Sequence, residues 1–365
     1  MTYRPRRPSR PNLSLTRRGL LRGAGAAGII GITLPSLSRK ARAAGRVNVY
    51  NWDTYIGENT IARFEEETGT TVTYDLYADN AELFARFREG NPGYDVIVPT
   101  NDYVERMMAA GMLQEIDHSL IPNFANIEPA FQDASFDPGR KYSIPYMWGT
   151  IGIGYRQSEV DGTPDSWGYL FGPEQVSGRV ALLSEPGTVI GMALKYLGYS
   201  MNTTDKSQID EAVELLIAAK SGIKAFAPDN GQDLLLSGEV DLAMEWNGDM
   251  QQVISEDDDL SYVVPKEGGL LWQDCMCIPK DAPNPENAHA FINFIHDPEV
   301  NAEIASFIYF PTPNAAAKEL MDEDYLTNPT VFPPDEVLEK CEAQLYLGQE
   351  HSQYIDSAWT RIEAA

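Results

Sequence analysis

From Arg46 onward the chain alternates short strand-like runs with helical ones, and the first four helical runs stop at a glycine. Residues 47–50 read as a strand. Residues 58–68 follow with Ile61, Phe64 and Thr68 on one helical face, and Gly69 supplies the residue past the end that accepts a left-handed backbone. Residues 72–77 alternate at period two, and 81–89 turn Leu83, Phe84 and Phe87 inward before Gly90. Residues 94–99 are a near-continuous apolar strand, after which Asn101 or Asp102 caps a helix ending at Gly111. This βαβα succession predicts a parallel-type sheet covered by helices, with ligand sites at the carboxyl ends of its strands. Residues 52–55 and 100–102 fall at those ends.

A second α/β series follows. Strands are expected over 179–183, 240–246, 262–265 and from Trp272 to Ile278, with helices over 189–197, 208–219 and around 250–254. Further helices are expected over 285–296, 299–307, 314–321, 334–345 and 350–362. At 365 residues the chain has room for two core-bearing domains, and its 43% apolar content is that of a globular protein. Crossings between halves near 149–152 and 270–274 would be extended, which suits a short hinge.

Three of the six tryptophans lie in polar, acid-bearing segments: Asn51-Trp52-Asp53-Thr54-Tyr55, Trp246-Asn247-Gly248-Asp249 and Trp272-Gln273-Asp274. An aromatic face beside a carboxylate is how an aqueous site holds a cation, the ring contributing about 0.5–2 kcal/mol per good contact. The plainer alternative is a set of core or loop anchors with satisfied indole N–H groups.

The net charge of −26 is unevenly spread. Residues 1–44 carry ten basic groups and no acid, which leaves 18 basic and 54 acidic groups on the rest, a net of −36. Such a surface repels nucleic acid and anionic membranes and attracts polycations. It is also compatible with life at high salt, where a Debye length of roughly 3 Å leaves recognition to charges inside a partly closed pocket. Residues 1–44 read as a signal segment for the twin-arginine export machinery: Thr16-Arg17-Arg18-Gly19-Leu20-Leu21, a weakly apolar Gly/Ala-rich stretch, and a cleavage site at Ala41-Arg42-Ala43. The mature protein is expected to be periplasmic or otherwise extracytoplasmic. Cys275, Cys277 and Cys341 are expected to be buried small residues, and no metal or cofactor is implied.

From residue 47 to 344 the chain resembles the periplasmic spermidine/putrescine-binding proteins of polyamine ABC transporters. The matching stretches include Tyr50-Asn51-Trp52 with Tyr55, Tyr94-Asp95-Val96-Ile97-Val98-Pro99 and Ser143-Ile144-Pro145-Tyr146-Met147-Trp148-Gly149. Others are Leu197-Gly198-Tyr199-Ser200, Trp246-Asn247-Gly248, Pro265-Lys266-Glu267-Gly268-Gly269 and Pro311-Thr312-Pro313-Asn314. The resemblance implies an α/β, two-lobed periplasmic-binding-protein fold of type II-like form, with the ligand cleft between lobes. Lobe 1 would comprise 45–150 plus 273–318, and lobe 2 151–272 plus 319–365. It implies aromatic walls at Trp52, Tyr55, Trp246, Trp272 and Phe310, and an ammonium anchor at Asp274. Glu185 stands where the family places an Asp, Thr100 matches a contacting Ser, and Gln344 matches a polar contact at the far end. Thr188 stands where spermidine binders can carry a second Glu, while Asp53 and Asp102 replace uncharged residues and offer charge elsewhere in the cleft.

The implied role is capture of a polyamine, a putrescine- or spermidine-like cation, and delivery to an ABC permease. An alternative keeps the fold and makes the chain the ligand-reporting partner of a membrane sensor for another nitrogenous cation. A remoter one is a glycoside-active enzyme, since Trp-lined grooves with paired acids also serve that chemistry. No nucleophile elbow, metal triad or phosphate loop is present in the sequence, so catalysis is not expected.

Overall fold

A computed structural model of the chain describes residues 45–172, 178–228 and 230–365. The expected signal segment lies outside the described residues.

Among the described residues nine strands form one mixed sheet: β1 (Gly45–Trp52), β2 (Thr70–Tyr77), β3 (Val96–Ile97), β4 (Ser143–Arg156), β5 (Val180–Leu183), β6 (Ile223–Ala227), β7 (Leu242–Trp246), β8 (Leu260–Val263) and β9 (Leu271–Cys277). Their order is β2-β1-β3-β9-β4-β7-β5-β6, with β8 also paired to β4. The βαβα reading holds for β2-β1-β3, whose pairs are parallel, and again for β6-β5-β7. Between the two parallel sets run β9 and β4, both antiparallel to their neighbours. The expected parallel-type sheet is therefore a mixed one, parallel in each flanking set and antiparallel at its centre.

The 14-residue β4 joins the halves. Its first part, to Thr150, pairs with β9, and from Ile151 it pairs with β7 and then β8. The segments around 149–152 and 270–274 are extended and lie side by side, for Ile151 N–H donates to the Leu270 carbonyl at 3.0 Å. Apolar side chains of both halves, such as Val49, Ile144, Leu182 and Leu242, belong to one continuous buried cluster.

Helices lie close to their expected bounds where a stop signal was clear. Thr60–Thr68 ends at Gly69 in the left-handed region, and Pro186–Tyr196 ends with Gly198 and Tyr199 donating back to the Lys195 and Leu194 carbonyls. Other expectations need correction. The strand over 94–99 shrinks to Val96–Ile97, although residues 94–100 are all buried. The cap of the next helix, Asn101–Ala109, is Thr100, so Asn101 and Asp102 open its first turn. The helices expected over 314–321 and 334–345 contract to Ala315–Lys318 and Asp335–Leu338. In the second case a sheet edge outcompetes helical propensity, because Glu342 pairs with Leu270. Strand β6 and the helix Gly231–Leu236 carry no clear sequence signal. Cys275 and Cys277 are buried thiols as expected, but Cys341 is half-buried.

Candidate functional site

The parallel strands deliver their carboxyl ends to one place. Trp52 ends β1, Thr100 follows β3, Glu185 follows β5 and Trp246 ends β7. Three helices start there, Asn101–Ala109, Pro186–Tyr196 and Asn247–Ile254, and each brings a carboxylate to its first turn or cap: Asp102, Glu185 and Asp249. A helix start carries partial positive charge, so it is where acids are best tolerated away from bulk water. The three acids then line the space between the strand ends with carboxyl groups.

Two adjoining cavities occupy that space. The first, of about 40 Å³, is lined by Trp52, Asp53, Tyr55, Thr100, Trp246, Asp249, Trp272, Asp274 and Phe310. The second, of about 100 Å³, is lined in part by Thr100, Asp102, Glu185, Thr188, Trp246 and Gln344. Thr100 and Trp246 line both. All twelve residues singled out from the sequence therefore border one or the other cavity.

Aromatic rings build the first cavity by edge-to-face packing. Tyr146, Tyr55, Phe310, Trp272 and Trp246 form a chain with successive ring centroids 5.2, 5.2, 5.3 and 5.7 Å apart and interplanar angles of 75–89°. Each such pair contributes about 0.5–1.5 kcal/mol beyond its burial. Trp52 stands apart, its indole N–H donating to the Val98 carbonyl at 2.9 Å. The indole N–H of Trp272 is buried without a hydrogen-bond partner among the described residues. Trp272 also packs over Gly149, where an added Cβ would run into its ring and the Asn247 side chain. We predict that Gly149→Ala displaces Trp272 and lowers both thermal stability and ligand affinity, read by denaturation and titration of the purified variant.

Asp274, 6% exposed on β9, is the acid of the aromatic cavity. The Thr100 hydroxyl donates to it at 2.7 Å and itself accepts from the Asn80 amide at 2.9 Å. Burial pushes Asp274 up to about 7 against that hydrogen bond, which favours the charged form. At the other cavity burial pushes Asp102 up to about 7, and burial with the nearby Asp102 pushes Glu185 up to about 8. The Thr188 hydroxyl donates to Glu185 at 3.1 Å, and the Gln344 amide donates to Asp102 at 3.2 Å. Asp53 is exposed at the mouth, its carboxylate accepting from the Thr54 N–H at 2.9 Å.

Asp249 was not among the expected site residues. It is buried in the wall of the aromatic cavity, and burial, followed by Glu245 and Asp233, pushes it well above the usual carboxylate range. The available signal was its spacing of three from Trp246, which puts both on one side of the first helical turn.

Among the described residues no group of three metal-ligating side chains gathers, and no helix is long and apolar enough to cross a membrane. What the arrangement can do chemically is hold positive charge at two separated points with an apolar span between them.

Residues 59–333 match the model of a bacterial extracellular solute-binding protein family. The chain is 35% identical to the putrescine-binding periplasmic protein SpuD of Pseudomonas aeruginosa, over 92% of this chain and 97% of that one. It is 38% identical to the spermidine/putrescine-binding periplasmic protein of Escherichia coli, over 84% and 88% of the two chains. Its fold matches the solved spermidine/putrescine ABC transporter substrate-binding protein PotD of Streptococcus pneumoniae with a TM-score of 0.76 and 32% identity, covering 88% of this chain and 99% of that one. The chain shares with these neighbours the two-lobed α/β fold of periplasmic solute-binding proteins. It belongs to the bacterial extracellular solute-binding proteins, in the family of the spermidine/putrescine-binding periplasmic proteins.

Proposed function

We propose that this chain is an extracytoplasmic receptor for a linear di- or polyamine of the putrescine/spermidine type, and that its closed form delivers the amine to an ABC permease. The observation that carries the reading is the placement of acids at both ends of an aromatic slot. Asp274 and Asp249 border one cavity, Asp102 and Glu185 the other, with Thr100 and Trp246 between them. A protonated diamine has the matching form. Its methylenes gain roughly 0.8 kcal/mol each on leaving water, and the rings favour the adjacent positive charge. An ammonium stranded away from an acid in that space costs several kcal/mol, so the acid-to-acid span selects length.

In this reading Asp274 is the principal ammonium partner, Asp249 supports it, and Asp102 with Glu185 receives the far end. Asp53 screens the entrance. Lobe 1 comprises 45–150 with 273–318 and lobe 2 151–272 with 319–365, the strands at 149–152 and 270–274 flexing as the hinge. The basic segment 1–44 directs export through the twin-arginine machinery. The function is binding and not catalysis. The named relatives, putrescine-binding and spermidine/putrescine-binding, support both ligand class and transport. Titration calorimetry with putrescine, spermidine and an oligosaccharide tests the proposal: heat from an amine is expected, and heat only from the sugar rejects it.

Acidity supplies a second prediction. Burial pushes Asp274, Asp102 and Glu185 up to about 7, 7 and 8, whereas an alkylamine stays protonated to about 10. A bound dication favours the ionised acids, so binding must expel protons as pH falls through that window. Affinity for a diamine is expected to drop more than tenfold, by order of magnitude, between pH 8 and pH 6. Calorimetry in two buffers of different ionisation enthalpy should report the protons released. Without ligand the sign reverses: acids raised above their ordinary range favour the closed form at low pH, and that contribution is lost as pH rises through 7–8.

A further inference from the structure

We infer that the segment 342–346 is the end stop of the amine slot, and that Lys195 is the positioning residue that holds it there. Lys195 would thereby set the length of amine accepted without touching the ligand. The inference rests on the amine reading of the site.

The stop itself is Gln344. It borders the inner cavity of about 100 Å³ and also a much larger outer cavity of about 790 Å³, and Asp102, Tyr103, Pro186 and Gly187 border both as well. The hydrogen bond from Gln344 Nε2 to Asp102, with the Gln344 amide lying against Gly187, forms the partition between the two spaces. Removing that partition would extend the slot into a space several times its own size.

A single glutamine is a firm wall only if its backbone cannot retreat, and the segment is pinned on two sides. On the side of β9 and the helix Pro186–Tyr196, Glu342 pairs with the crossing strand through its N–H to the Gly269 carbonyl at 3.1 Å and its carbonyl to the Leu271 N–H at 2.9 Å. The amide of Asn202 brackets the next residues, donating to the Ala343 carbonyl at 2.9 Å and accepting from the Leu345 N–H at 3.0 Å. On the side of the helix Asn101–Ala109, the Asn101 amide donates to the Gln344 carbonyl at 2.7 Å and the Tyr346 N–H donates to Glu105 at 2.7 Å. The segment therefore spans the far end of the slot between two helices that both start at the site.

Lys195 is the charged member of this set. Its side chain is 5% exposed, and its ammonium donates to the Lys340 carbonyl and to Glu342, each at 2.9 Å. The Ser200 hydroxyl holds the other Glu342 oxygen. Behind Lys340 lies Gly268 at a φ of 81°, where any Cβ would strike the Lys340 carbonyl. A buried lysine tied to a carboxylate and a carbonyl on one short segment fixes that segment more firmly than neutral bonds do, because its release would leave a charge unpaired away from water.

The test is the ratio of affinities for a four-carbon diamine and for spermine, measured by calorimetry on wild type, Lys195→Met and Gln344→Ala. The expected result is a fall of about tenfold or more in diamine-over-spermine preference in both variants, through lost diamine affinity and kept or improved spermine affinity. A ratio unchanged in Lys195→Met, whether or not absolute affinity falls, overturns the role of Lys195. An unchanged ratio in Gln344→Ala, which leaves Lys195 and its partners intact, overturns the end stop. Failure of the wild type to bind any linear amine would instead remove the ligand reading on which both stand.

Discussion

Replacing Asp274 by Asn is expected to weaken diamine binding by about 100-fold or more while leaving the fold intact. The change keeps the size of the side chain and an oxygen able to accept from Thr100. What it removes is the negative charge at a position 6% exposed, where an ammonium has little water to fall back on. Truncating one partner of a buried, hydrogen-bonded charge pair costs about 2–5 kcal/mol, and each 1.4 kcal/mol is about tenfold in affinity. Ligand-free stability should be unchanged or slightly higher, since burial already pushes Asp274 up to about 7 and the empty cleft bears the cost of ionising it. Thermal denaturation with and without putrescine checks both statements together. Wild-type stabilisation by amine in the variant would exclude Asp274 from the site.

The second large effect belongs to Trp272, and here stability and binding move together. Trp272 is 3% exposed and sits between Trp246 and Phe310, at 5.7 and 5.3 Å. Trp272→Ala would remove the ring that links Trp246 to the rest of the aromatic chain and leave a hole, a change that typically costs about 3–5 kcal/mol. The variant should unfold several degrees lower without ligand and gain little from amine. Trp272→Phe separates the two effects: it refills most of the volume and keeps a ring face, so most of the stability should return with a smaller share of the affinity. If Trp272→Ala denatures like the wild type, the ring is not the wall described above.

Much of this was legible in the residues themselves, and the reasons differ from case to case. Strong periodicity closed by glycine located the helices ending before Gly69 and Gly198. The rule that ligands gather at the carboxyl ends of parallel strands picked out Trp52 and Thr100 before any geometry was known. Asp249 went unlisted because residue-by-residue transfer from a family favours matched positions over new ones, although Trp246 and Asp249 are one helical turn apart. The partnership of Asp102 with Gln344 joins residues 242 apart in sequence, and no local pattern encodes it. The segment around Glu342 failed for the converse reason. Its local preference is helical, but the edge beside Leu270 and the buried Lys195 offered better partners than a helix could.

The most direct measurement is a crystal structure of the mature protein with putrescine. One ammonium should lie within hydrogen-bond reach of the Asp274 carboxylate and the other should reach the acids Asp102 and Glu185, with the methylenes crossing between Trp246 and Trp52. A ligand seated elsewhere, or these acids contacting only solvent in the loaded protein, would contradict the account.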